Sequence, residues 1–145
     1  MAIAQAVANS FKKEILEGIH DFESGGDQFK LALYQDTANL SAATTAYPGD
    51  GTGGQVSDTG QYAQGGGVLQ SQQTSLDTGV AIVTFADLSF TGVTLTARGA
   101  LIYNATETNK AVAVLDFGGD KTATAGTFTI QFPSFTSSAA ILRIS

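Results

Sequence analysis

Apolar positions along the chain follow two different periods. Near the start Ile3, Val7, Phe11, Ile15, Ile19 and Phe22 recur every three or four residues, with Leu16 beside them. That spacing predicts one amphipathic helix over residues 3–22, with Lys12, Lys13, Glu14, Glu17 and Asp21 mostly on its other side. Gly18 weakens such a helix by about 1 kcal/mol relative to alanine, and Ser24-Gly25-Gly26-Asp27 ends it. The stripe has two destinations: the domain's own core, as for most surface helices, or a neighbouring subunit. Val7, Phe11, Ile15 and Ile19 are therefore candidate partner contacts.

Beyond residue 28 the period falls to two. Phe29, Leu31 and Leu33 alternate with Lys30, Ala32 and Tyr34, and Phe128, Ile130 and Phe132 alternate with Thr127, Thr129 and Gln131. Runs at 80–85, 93–98, 100–104, 111–117 and 139–144 read as further strands, with turns at 107–109, 118–121 and 133–134. Short strands, frequent turns and one helix predict a mainly β chain: an antiparallel β-sandwich, jelly-roll-like, with one N-terminal α-helix. At 145 residues the expectation is a single domain, 1–145, with the helix in 1–24 and the sandwich in 28–145.

Between the strands at 29–34 and 80–85 lies a loop, about 38–78, with little apolar content; Val68-Leu69 could return to the sheet as an edge strand. Its segment 47–67, YPGDGTGGQVSDTGQYAQGGG, holds eight of the chain's 17 glycines. Loops this long inside a compact domain are usually functional or mobile, which suits a surface that conforms to a partner. Tyr47 and Tyr62 bracket the glycines and are candidate partner contacts, or else anchors of the turns. Gly49-Asp50-Gly51-Thr52-Gly53-Gly54 satisfies GxGxxG literally. A phosphate site needs a strand before the motif and a helix N-terminus after it. Tyr47-Pro48 and Gln55-Val56-Ser57-Asp58 supply neither, and Asp50 repels phosphate, so this is a loop.

Composition narrows the chemistry. The net charge is −6, and among seven Lys and Arg only Lys12-Lys13 are adjacent, which leaves no cation cluster for nucleic acid. The absence of cysteine excludes disulfides, thiolate zinc sites and a cysteine nucleophile. No basic leader and no run of 18 apolar residues is present, so the expectation is a soluble protein made in a cytoplasm, without a membrane partner. His20, the single histidine, has too few neighbours for zinc and reads as a surface or dipole-complementing residue. Asp50, Asp58 and Asp120 offer oxygens to calcium but not at EF-hand spacing. Asp116-Phe117-Gly118 spells the kinase metal motif without the rest of a kinase, and no GxSxG elbow occurs. No catalytic residue, metal or cofactor is expected, and the chain reads as non-enzymatic.

The order of segments carries a resemblance. AQAVANSFKKEILEGIHDF, FKLALY, GQYAQGGGVL, RGALIYN, AVAVLDFGGDKT, GTFTIQFP and AILRI together resemble a family of small tailed-bacteriophage virion proteins of the capsid cement or decoration type. The resemblance implies a protein made in the bacterial host and carried on the capsid surface of the virion. There it would bridge major capsid protein subunits, itself a homo-dimer or homo-trimer. The alternative is a tail or fibre structural or receptor-binding module of the same virion.

Overall fold

The computed structural model describes residues 3–51 and 53–145. Met1 and Ala2 of the expected helical segment, and Thr52 of the glycine stretch, lie outside them. The chain is mainly β, with two antiparallel sheets and one short helix among the described residues. In chain order the elements are β1 (Ala6–Val7), α1 (Asn9–Leu16), β2 (Phe29–Tyr34), β3 (Gly67–Val68), β4 (Gln73–Asp77), β5 (Val80–Thr84), β6 (Leu88–Asn104), β7 (Lys110–Ile130) and β8 (Leu142–Ile144). One sheet runs β1-β7-β6-β2-β3 and the other β4-β5-β8.

The helix is shorter than the periodicity predicts. Residues before it are extended: Ile3 bridges Leu40, and Ala6 and Val7 pair with Val114 and Ala113 on the open edge of β7. β-Branched residues fit a pleated edge well, and the ladder hydrogen bonds available there outweigh the helical spacing. At the other end Gly18 stops the helix instead of merely weakening it. Its φ is +73°, its N–H reaches the Ile15 carbonyl at 3.3 Å, and the Ile19 N–H reaches that of Glu14 at 3.1 Å. That is a Schellman cap. Only Phe11 and Ile15 of the predicted stripe sit on the helix proper.

β6 and β7 form one long antiparallel ribbon, 17 and 21 residues, joined by the turn 105–109. The predicted separate strands at 93–98 and 100–104 are halves of β6, and those at 111–117 and 127–132 are the two ends of β7. The expected turn at 118–121 is a bulge inside β7. Ala97 faces Lys121 while Gly99 faces Asp116, so β7 spends five steps where β6 spends two. The Asp116 carboxylate fastens this bulge by accepting from the Gly118 N–H at 2.9 Å and from Arg98 Nε at 3.2 Å. Those same bonds hold its carboxyl below the ordinary carboxylate range.

The central part of the larger sheet is buried on both sides, as the continuous burial of Leu31–Tyr34, Gly99–Asn104 and Ala111–Val114 shows. Register assigns the faces: Phe29, Leu31, Ile102 and Asn104 share one with Ala113 and Val7, while Ala32, Tyr34, Leu101, Tyr103 and Val114 share the other. The first is covered by α1 and Phe22, which stacks on Phe29 with centroids 4.3 Å apart. The second lies under the glycine stretch.

That stretch is seated on the sheet, not held away from it. Val68 pairs with Lys30 at the sheet edge, Val56 is buried, and its N–H reaches the Leu33 carbonyl at 3.0 Å. Two glycines show why the composition is needed. A Cβ on Gly66 (φ +83°) would lie 1.8 Å from the Leu31 carbonyl oxygen, and one on Gly60 (φ +50°) 2.1 Å from that of Gly92. Glycine here permits close approach of two backbones. Gly66→Ala is accordingly expected to cost at least about 3 kcal/mol in urea unfolding, because β2 itself must shift. Gly18→Ala, whose methyl group meets nothing within 4 Å, should cost only about 1–2 kcal/mol for the left-handed backbone. Equal costs would mean that the stretch is not clamped to β2.

Candidate functional site: an apolar groove beside the helix

The small sheet follows from a tight hairpin. Asp77 pairs with Val80 across Thr78 and Gly79, whose φ values of +48° and +85° give the turn twist that suits paired strands. β5 then pairs with β8. The register puts Leu76, Ala81 and Ile144 in one cross-strand row, and Thr74, Val83 and Leu142 in the next row on the same face. Leu142 and Val83 reach the main core. The outer row does not: Leu76 is 73% exposed and Ile144 56%.

Between this face and α1 lies a groove of about 580 Å³. Its helical wall carries Phe11, Ile15 and Leu16, its sheet wall Ala81, Val83, Leu142 and Ile144, and Val7, His20 and Phe22 also line it. Leu16 is 88% exposed. Lys12 and Arg143 are the cations of the lining, and Glu23 is its carboxylate. Of the sequence-predicted contacts, the structure brings Val7, Phe11 and Ile15 together here. Phe11 is buried, Val7 and Ile15 are half-buried, and Ile19 is half-buried outside the lining.

His20 is not on the surface. Its side chain is fully buried, with the ring 4.8 Å from that of Phe11 and 6.4 Å from those of Phe22 and Phe29. Asn104 Oδ1 accepts from the N–H groups of Thr106 and Glu107 at 3.0 and 3.1 Å. That fixes the amide, so Asn104 Nδ2 points at His20 Nδ1 (3.0 Å) and Asp27 Oδ2 (2.8 Å). A donor on Nδ1 makes it an acceptor, so Nε2 carries the proton and donates to Glu14 Oε1 at 2.9 Å. Both ring nitrogens are committed, tying α1 through Glu14 to Asn104 at the end of β6, and the same Asn104 amide holds the loop at Asp27. No group of three His, Asp or Glu side chains is placed to hold a metal ion among the described residues.

Tyr47 and Tyr62 also turn inward, which corrects the expectation that they present a contact surface. Tyr47 stacks on Tyr103 with centroids 4.6 Å apart, and its hydroxyl lies 2.6 Å from Asp50 Oδ1 and 2.9 Å from Gln55 Oε1. Its single proton serves the shorter contact, and Gln55 Oε1 takes the Gly65 N–H at 2.6 Å. Tyr62 packs edge-on against Phe90, and its hydroxyl accepts the Leu33 N–H at 2.8 Å. The Tyr103 hydroxyl donates to the Gly65 carbonyl. These rings anchor the glycine stretch to the sheet, the second of the two roles their positions allowed.

All four tyrosines are buried, and burial raises every phenol, with the Asp50 hydrogen bond adding to the effect at Tyr47. Tyr103 is pushed up to about 12 and the others go higher. A phenol whose value is higher folded than unfolded favours the folded state while neutral. That contribution is complete below the unfolded value near 10 and is lost as pH rises through the folded values. Tyrosinate absorbance should therefore stay flat through pH 10 and rise together with loss of circular dichroism at higher pH. Normal titration of even one tyrosine near pH 10 in the folded protein would contradict this packing.

Comparison with protein-family models, with curated proteins and with solved structures gives no match.

Proposed function

We propose that this chain is a non-enzymatic virion structural protein of the tailed-bacteriophage cement type. It binds the outside of the head and bridges major capsid protein subunits, alongside further copies of itself as a dimer or trimer. In this reading the two antiparallel sheets are the layers of a jelly-roll-like sandwich. Packing of Leu142 and Val83 of the small sheet onto the core over the larger one supports that view.

The observation that carries the reading is the uncovered apolar surface. Leu16, Leu76 and Ile144 are the large hydrophobic side chains left exposed among the described residues, and two of them line one groove. Scattered single apolar residues are ordinary on a protein surface, whereas a contiguous row beside a groove is characteristic of a docking site. Cement function suits a modest contact of this kind, because repetition over a lattice multiplies weak binding. With Tyr47 and Tyr62 buried, the partner surface in this reading moves from the glycine stretch to the groove.

The deciding measurement is the copy number of this protein relative to the major capsid protein in purified particles, by quantitative mass spectrometry. A ratio near one, or a simple fraction fixed by lattice sites, is expected. A few copies per particle would transfer the protein to the tail or a fibre, and absence from the particle would overturn the virion reading.

A further inference from the structure

The groove's form restricts what it can take. Its volume of about 580 Å³ falls within the roughly 300–1,000 Å³ of sites that enclose a small ligand or a few side chains. A standard dimer interface buries about 800 Å² on each partner, far more than one such cleft offers. One boundary is a strand edge. β8 pairs with β5 on one side only, and all three of its residues line the groove. Main-chain donors and acceptors on an edge strand are a template for another strand.

Charge narrows the choice further. Lys12 and Arg143 contribute to the lining. Arg143 does so from the exposed β8 edge, its side chain leaving the opposite strand face from Leu142 and Ile144. Neither forms an ion pair among the described residues. The Lys12 ammonium donates to Asn9 Oδ1 at 3.3 Å and the Arg143 guanidinium to the Ser137 carbonyl at 3.4 Å. Glu23 is the one opposing charge there. In a chain of net charge −6 this is a locally basic rim around an apolar floor. Twofold pairing of two grooves would set the rim against its own copy, which disfavours a second copy as occupant.

We propose that the groove is a strand-docking site: an extended segment of another chain, apolar on one side and acidic at its ends, adds to the free edge of β8. Its apolar side chains continue the row Leu76, Ala81, Ile144 and seat against Ile15 and Leu16 of α1. Its carboxylates meet Lys12 and Arg143. Main-chain pairing supplies affinity, while the alternate side chains and the end charges supply selectivity. The proposal deepens the cement reading and rests on it only for which chain donates the segment.

The test uses the full ¹⁵N-labelled chain and a blocked heptapeptide that alternates valine and threonine with an aspartate at each end. Saturable amide shifts are expected at Phe11–Leu16 and Leu142–Ile144, with slower hydrogen exchange in β8. Arg143→Glu, on an exposed side chain, should weaken binding about tenfold, as should lysines in place of the peptide's aspartates. An unchanged thermal midpoint shows that the variant is folded, and Lys12→Glu serves in its place otherwise. The proposal is overturned if the peptide causes no saturable shift at these residues, or if the lysine-ended peptide binds equally well. It also falls if dodecanoate shifts the groove where the peptide does not, which would mark an acyl-chain site. Concentration-dependent protection of the groove without peptide would assign it to a second copy instead. A second arm rebinds wild type, Arg143→Glu and Ile144→Asp to heads lacking the protein. Equal rebinding of all three overturns the groove as the contact and keeps the cement reading. Failure of wild type to bind heads removes the cement reading and leaves the peptide result to decide the groove.

Discussion

The β6–β7 ladder is the constraint on which everything else depends. Every other strand of the larger sheet joins it: β2 through six consecutive pairs with β6, β1 through two pairs with β7, and β3 through β2. A ribbon of this length twists strongly, and a straight pair could not serve both the sheet centre and the core at its far end. The bulges resolve the conflict. Gly92 (φ +65°) and Ala125 (φ +45°) sit at register shifts on opposite strands, so each inserts a residue on one side of the ribbon and re-aims those beyond it. Phe90, Val93, Leu95 and Phe128 all remain buried in consequence.

A sheet buried on both faces needs two covers, and the chain supplies them by different physics. One cover is conventional: α1 packs across β7, Phe22 stacks on Phe29, and Phe85, just past β5, packs against Phe29 as well. The other is mostly backbone. Residues 47–67 contribute few apolar side chains, so they approach closely enough for main-chain groups to meet the sheet directly, as Gly66 does at Leu31. Burying that much backbone requires partners for its polar groups. Gln55 accepts from the Gly65 N–H and donates to the Gly49 carbonyl, Tyr103 donates to the Gly65 carbonyl, and on the sheet side the Tyr62 hydroxyl accepts the Leu33 N–H. On the first face Asn104 does equivalent service, satisfying a turn, a histidine and an aspartate at once.

Local pattern made some of this legible. The alternating run at 29–34 is β2 to the residue, and Val80–Thr84 lies within the predicted run at 80–85. Such strands are readable because aliphatic and aromatic residues concentrate in them, even where, as in β2, both faces are buried. β4 has a mostly exposed sequence, Gln-Thr-Ser-Leu-Asp, and no burial to impose a period, so only its pairing with β5 defines it. Glycines at 118–121 signalled a turn and those at 47–67 a conforming surface loop, whereas the first is a bulge within β7 and the second is seated on the sheet. The same signal serves turn, bulge and close approach, and only the long-range partner separates them. The groove followed the same division: Phe11 and Ile15 were visible in the helical spacing, while Leu142 and Ile144 come to them from the other end of the sequence. His20 and Asn104 gave no local sign of their bond across 84 positions.

The groove is a consequence of how the first twenty residues are spent. A helix over 3–22 would have laid one continuous stripe across the sheet and closed that face. Instead Ala6 and Val7 extend the larger sheet by a strand, and the Gly18 cap releases the chain so that His20 and Phe22 can enter the core. Both uses are stabilising, and together they leave α1 with eight residues. That is about 12 Å of helix at 1.5 Å per residue, too little to cover the face and reach the small sheet as well. The exposed Leu16 stands where a longer helix would have turned its stripe inward, and Ile144 faces it from β8 across the gap. Two favourable choices thus leave an apolar surface open. Among the described residues it is bordered by a strand edge that pairs on one side only and by two cations without an ion pair, and on these features the proposed docking of another chain rests.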